Sequence, residues 1–535
     1  MFSWLKTSGR RKACPEKNLI ASRGVLPLSI ILFFFLGLGV CVLLLTQVHL
    51  KVGGLWRNLR LTNYAAENGL KLGYLFLLEK LQSSPWPLSL SESETEFILN
   101  NSTSSDKFLW LFSRHLGLDF PIFLESSWKS MTWKSKLSFE PKAIESLGHF
   151  ILAAAEFKLE AEGKIMPFFQ RAKGEFLLDA VLVAGYLPLP LFPCLLEKSL
   201  SLSEQEVYLM LIEIIPPSAI ISNLALRPFF SQEKTISRDT IPFLEKGLKI
   251  RLFEPDSINT LVLRQALGLE ISREPVPEGV YLIHDDIGLG GVFVQGNLDE
   301  LFLVVDGPCQ VLFFRQGENT WELRFNPSLG QTIFSSPGKS LVYEGLPNGI
   351  ILVNGAIASL GEGEAALSGE VHLATREPQP CLIPGAKLTL VASGEVNIVS
   401  PLTLSSFSLE PGIPYLRQRQ TQLVVFSSGK DLITQEEVQA GLNLEIRRGE
   451  EVVVEADLVA LGNGFQMKGR DKTLVIKGSL QATEINPNSN RIKIIPHENP
   501  YLLAKEPEGL PLTSRPLSVI IQLKPTRWID NAKGQ

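Results

Sequence analysis

Gly290-Gly291-Val292-Phe293-Val294-Gln295-Gly296-Asn297-Leu298 and its echo, Asn348-Gly349-Ile350-Ile351-Leu352-Val353-Asn354-Gly355-Ala356-Ile357, are the stretches on which the fold turns. Each is a short run of β-branched, aliphatic and aromatic residues punctuated by glycine or Asn-Gly, the pattern of a strand bounded by turns. Related runs lie at 367–373 and 388–396. Later ones start at Leu423, Val452 and Leu474 and end near Gly429, Leu461 and Gly478. One such unit cannot bury its apolar side, whereas stacked units can, which is the physical sense of a β-solenoid. Antiparallel pairing of the same runs gives a sandwich instead, and Asn-Gly taken alone favours hairpins. The mixed runs and varied glycine turns favour a right-handed parallel β-helix-like domain over residues 279–485; the irregular spacing favours the sandwich.

Upstream, residues 83–278 read as a mixed strand and helix region. Phe150–Gly163, FILAAAEFKLEAEG, ends in alternation of apolar and charged residues, a half-buried strand. Gly174–Tyr186 is a second apolar run bounded by glycine. Ser203-Glu204-Gln205-Glu206 reads as a helix capping box, and helical pieces fit Ile241–Lys249 and Ser257–Leu269. Downstream, 486–535 is a Pro-rich tail in which Ser518–Leu523 forms a last strand followed by loose chain.

The front of the chain is different in kind. Val25–Val48, VLPLSIILFFFLGLGVCVLLLTQV, holds about 24 uncharged residues where roughly 20 span a bilayer as a helix. Leu70, Leu72, Leu75, Leu77, Leu78 and Leu81 carry an amphipathic helix on to Gln82, so that residues 25–82 form one element. Ser83-Ser84-Pro85-Trp86-Pro87 ends it. Residues 1–24 are a basic leader, with Lys6, Arg10, Arg11, Lys12, Lys17 and Arg23 against Glu16. That asymmetry keeps the N-terminus in the cytoplasm and exports the C-terminal bulk, a single-pass topology. The fold class expected is mainly β with a long N-terminal α-helix, a β-solenoid-like ectodomain and a mixed α/β middle region.

Composition narrows the chemistry. The 535 residues carry 51 Lys and Arg against 56 Asp and Glu, a net charge of -5, which is no nucleic-acid footprint. The five cysteines show no CxxC and no neighbouring His, so a zinc site is not expected. His284-Asp285-Asp286 is the most suggestive cluster, yet it reads as a turn. Gly338-Lys339-Ser340 lacks the upstream glycine of a phosphate loop. Glu362 and Glu364 flank Gly363 and read as solvated, and Asp457 faces solvent by strand alternation. No catalytic residue, cofactor or metal is assigned, and the reading is non-enzymatic.

A basic leader ending in Gly24, a long apolar helix, and then Tyr64-Ala65-Ala66-Glu67-Asn68-Gly69-Leu70 resemble a type IV prepilin, most closely accessory minor pilins of the PilX kind. The resemblance implies cleavage by a prepilin peptidase between Gly24 and Val25. Ser29 then stands at the fifth mature position, where main pilins carry Glu and some accessory subunits do not. It implies an inner-membrane subunit with its bulk in the periplasm or exterior. Its partners would be pilin-like subunits and the inner-membrane assembly platform. Gly37, Gly39, Ala65, Ala66 and Gly69 would give close helix packing, and Glu67 would meet a basic group of a neighbour. The glycine-punctuated region is similar to β-helical ectodomains that accompany some prepilin-like N-termini, a likeness covering a little over a third of the chain. Two other readings stand beside this one: a membrane-tethered β-helical protein that binds or cleaves polysaccharide, and a bactofilin-like scaffold polymerising through stacked β-rungs.

Overall fold

The computed structural model describes residues 25–83, 88–100, 110–114, 117–128, 131–146, 149–165, 170–198, 201–215, 229–231, 234–254, 257–285, 288–365, 371–373, 379–404, 421–445, 451–496 and 511–530. The chain is mainly β with a long N-terminal helix. That helix, Val25–Ser83, has 59 residues, about 88 Å at 1.5 Å per residue. It passes through Asn68-Gly69 without a break. The basic leader, Gly24 included, lies outside the described residues.

The second half of the helix lies on a six-stranded antiparallel sheet. Its strand order is Leu88–Ser89, Leu517–Asp530, Gln170–Gly185, Phe150–Ile165, Met131–Ser146, Ile122–Trp128. Alternation along Phe150–Ile165 decides the two faces. Ile151, Ala153, Ala155, Phe157, Leu159 and Ala161 are buried in the core shared with helix residues Leu70 and Leu77. Glu156, Lys158 and Glu160 take the other face. There Lys158 pairs with Glu160 at 3.1 Å and Glu175 at 3.2 Å, and Lys142 pairs with Glu156 and Asp179. The last strand runs the full length Leu517–Asp530 beside Gln170–Gly185, with Leu517 opposite Gly185 and Asp530 opposite Gly174. A loose tail after Leu523 is therefore corrected: the C-terminal strand belongs to this sheet, with Ile520 in the core under the helix and Leu517 and Val519 on the opposite face in a second core.

The glycine-punctuated region contributes to three further sheets. In the first, strands Gly288–Gln295, Ile350–Asn354, Lys387–Ala392, Gln422–Ser427, Asp457–Ala460 and Ser479–Ala482 pair in parallel. In the second, Glu300–Asp306, Ile357–Ala365, Glu395–Ile398, Gly441–Leu444, Phe465–Met467 and Ile485–Asn486 do the same. In the third, Glu451–Val454, Thr473–Lys477 and Arg491–Ile495 are parallel neighbours. The chain visits the sheets in turn, so like residues stack. Val292, Ile351, Leu390, Val425, Leu458 and Leu480 are in register and fill one core. Phe293, Leu352, Val391, Phe426 and Val459 point the other way into a second core, shared with Phe243 and Leu244. The strands of the first sheet are thus covered on both faces, as parallel strands are. Asn348-Gly349 makes no hairpin: Gly349 has φ +78°, and a Cβ there would overlap the Lys387 carbonyl oxygen of the adjoining strand.

Several expectations need correction. Residues 309–344 are not part of a parallel repeat: Cys309–Gln316, Asn319–Asn326, Gln331–Ser336 and Lys339–Glu344 form an antiparallel meander on Glu300–Asp306. Two- to four-residue turns at Gly307, Gly317, Gly330 and Gly338 allow only hairpins there. The parallel sheets also reach beyond 279–485. Cys194–Leu196 extends the first and Ile212–Ile214 the third, so the middle region is no separate layer. The capping box begins at Ser201, whose backbone N–H donates to Glu204 at 2.8 Å, and not at Ser203. The same motif at Ser91 and Glu94, unread in the sequence, starts helix Glu92–Leu99.

Candidate functional site

The long helix divides at Thr62. Before it, from Ile30 to Leu59, large apolar side chains stand free of the rest of the chain: Phe33 is 75 % exposed, Leu45 68 % and Leu50 71 %. This part is long and apolar enough to cross a membrane. Val25 opens the helix. Around Gly37, Gly39, Gly53 and Gly54 a Cβ would meet nothing within 4 Å.

From Thr62 onward one strip turns inward: Thr62, Ala65, Ala66, Gly69, Leu70, Gly73 and Leu77, at the 3.6-residue period, are buried. The approach is close because both surfaces are small. A Cβ on Gly163 of the sheet would overlap the Thr62 carbonyl oxygen and stand 2.5 Å from the Ala66 nitrogen. The Ser135 hydroxyl donates to the Gly69 carbonyl at 2.7 Å. Gly73 faces Leu159. Ala65, Ala66 and Gly69, expected to extend a surface for neighbouring helices, are therefore used inside the molecule. Glu67 lies on the flank of this strip, half-buried. Tyr64 and Leu75 remain exposed on the opposite side.

The second feature is a set of acidic groups enclosed between turns of the parallel sheets. Glu362, read as solvated, is 1 % exposed. It pairs opposite Leu303 as Leu360 pairs opposite Leu301, so it shares the inward face with Leu360. That signal was present in the i, i+2 spacing. Its carboxylate accepts the Thr403 hydroxyl at 3.1 Å and backbone N–H groups of Gln379 and Thr403. Burial outweighs these donors and pushes its pKa up to about 7. On a later turn Glu455 accepts the Leu404 N–H at 2.7 Å and pairs with Lys477 at 2.5 Å. Asp457 is also buried, not solvated. It lies on the outward side of its strand, but that side is covered by the second core. It accepts from Gln422 at 3.0 Å and Ser479 at 2.7 Å. Next to it Gln481 donates to the carbonyls of Leu189 and Phe192, tying the middle region to the parallel sheets.

This arrangement crosslinks turns of chain. Each carboxylate accepts several donors, the hydroxyls of Thr403 and Ser479 among them. Cys194 and Cys381 are buried free thiols whose pKa burial raises. His284 lies against the Tyr343 ring, with centroids 5.2 Å apart, and Asp286 falls outside the described residues. Among the described residues no group of three or more His, Cys, Asp or Glu is placed to hold a metal ion. Comparison with protein-family models, curated proteins and solved structures gives no match.

Proposed function

We propose that the chain is a non-enzymatic, prepilin-like subunit, anchored by a single membrane-crossing helix, that takes part in assembling a type IV pilus or a related secretion filament. One observation carries this reading: a continuous helix is bare and apolar over its first half and docked on its own head over its second. Such a helix transmits the position of the head rigidly to whatever holds the bare half, lipid before assembly and like helices after it. The three parallel sheets, visited in turn, are read as the faces of a β-solenoid that spaces or presents the head. Gly37 and Gly39 are the small residues open to a neighbouring helix. Partners on this reading are pilin-like subunits, the inner-membrane assembly platform and a prepilin peptidase that cuts between Gly24 and Val25.

The test is co-expression of the whole chain with a prepilin peptidase, followed by N-terminal sequencing and co-purification with the filament subunits. A mature chain beginning at Val25 supports the reading. A chain that keeps its leader and brings down no pilin-like subunit sinks it.

A second reading, a tethered protein acting on envelope polysaccharide, draws on one observation: Glu362 and Glu455 stand on either side of the turn that carries Thr403 and Leu404. It requires glycan binding that a Glu455→Gln variant loses. The scaffold reading needs an open end for stacking. Instead, Cys194–Leu196 with Phe229–Phe230 and Ile212–Ile214 cover the far ends of the first and third sheets, and the antiparallel strands Gly279–Asp285 and Cys309–Gln316 cover the near ends of the first and second.

A further inference from the structure

Between the apolar run and the dock lies a short length of helix, Lys51 to Arg60, that enters no core; Leu61 after it already packs with Ala65 and Met131. It carries Lys51, Arg57 and Arg60, all exposed. No Asp or Glu occurs anywhere from Val25 to Ala66, so nothing on this length of helix neutralises them. Its apolar residues are exposed as well: Trp56 at 61 %, Leu55 at 54 %, with Val52 and Leu59 beside them. At 100° per residue Val52, Leu55, Trp56 and Leu59 fall on one side, while Arg57, Asn58 and Arg60 fall on the other. The uncharged run from Val25 to Leu50 is 26 residues, about 39 Å, enough to cross the roughly 30 Å hydrocarbon layer of a bilayer, and Lys51 is the first charge after it. Lys51 therefore stands where the hydrocarbon ends, and the following helical turns stand in the headgroup layer. Tryptophan is favoured at that depth, because its ring is apolar and its N–H is polar.

We infer that Lys51–Arg60 is a lipid-binding collar selective for anionic phospholipid headgroups, with Val52, Leu55, Trp56 and Leu59 turned to the acyl chains and Lys51, Arg57 and Arg60 paired with phosphates. This rests on the anchor reading and adds to it the chemistry of the lipid and the depth of the head. Unpaired cations on an amphipathic surface are matched by a surface of anionic charge. Leu61 and Thr62 begin the dock directly after the collar, so the head is held against the membrane surface rather than on a long stalk.

The test uses the whole chain reconstituted in phosphatidylcholine vesicles containing one-fifth phosphatidylglycerol, with bromine on the acyl chains of one lipid or the other. The Trp56 signal is the difference between the wild type and Trp56→Phe. At equal brominated fraction, the anionic lipid should quench this signal at least about fivefold more effectively than the zwitterionic one, the factor one basic side chain contributes at an anionic surface. The triple variant Lys51→Gln/Arg57→Gln/Arg60→Gln should remove the difference while the protein stays in the vesicles after alkaline carbonate washing. Equal quenching of the wild type by the two lipids overturns the inference and leaves the anchor standing. Release of the wild type by carbonate overturns the anchor itself.

Discussion

Replacing Glu362 by Gln should turn a pH-dependent stability into a flat one. The carboxyl is enclosed between turns of chain, and burial raises its pKa from 4.5 to about 7. The sign follows from linkage. A carboxyl whose pKa is higher in the folded than in the unfolded chain favours folding only while it is protonated. Its contribution is therefore complete below about pH 4.5 and is lost as the pH rises through 7. A rise from 4.5 to about 7 at about 1.4 kcal/mol per unit makes the loss about 3.5 kcal/mol. Glutamine keeps the shape and one acceptor for the Thr403 hydroxyl, and does not ionise. The assay is denaturant unfolding of the detergent-solubilised chain, followed from pH 5 to 8.5 for wild type and Glu362→Gln. The wild type should fall relative to the variant across pH 5 to 7.5, and the variant should be the more stable of the two above pH 7.5. If the gap does not change with pH, or if the variant is weaker at pH 8 by the full amount, the carboxylate is stabilised by its N–H and O–H donors. The balance drawn here between burial and hydrogen bonding would then be wrong.

Other outcomes follow from the same packing. Gly163→Val places side-chain carbon against the helix backbone at Thr62 and Ala66. It should cost about 1–3 kcal/mol by overpacking, seen as faster proteolysis of the helix between Thr62 and Leu77. A soluble piece beginning at residue 84 loses the strip Thr62–Leu77 from the core and should aggregate, whereas one beginning at residue 58 should run as a folded species in gel filtration. Gln481→Leu leaves the Leu189 and Phe192 carbonyls without their side-chain donor. It should destabilise by about 1–3 kcal/mol, the cost of buried groups left unsatisfied, with hydrogen exchange rising first at 187–196.

Much of the architecture was legible along the chain because it is local. The uncharged run from Val25, the helix on to Ser83, and the strands Phe150–Ile165 and Gln170–Gly185 follow from spacing and from a periodicity each segment carries itself. Helices Ile241–Leu248 and Thr260–Ala266 also fall where their apolar residues put them. The enclosed acidic groups were harder. Alternation correctly divides a strand into two sides, but it does not say what covers the outward side. Asp457 was misread because a second core lies over its sheet, and Glu362 because Gly363 beside it looked like a turn.

By itself the sequence determined that one helix at the front is apolar enough to cross a bilayer and that most of the remainder is strand, since hydrophobic period and turn chemistry act within a few residues. Only the tertiary structure decided which strands meet. It set Leu517–Asp530 beside Gln170–Gly185 and Cys194–Leu196 beside Ser479–Ala482, and it spent Ala65, Ala66 and Gly69 on the molecule's own sheet. Those pairings join residues far apart in the chain. They depend on matching two surfaces, small against small and apolar against apolar, and neither segment carries the other's shape.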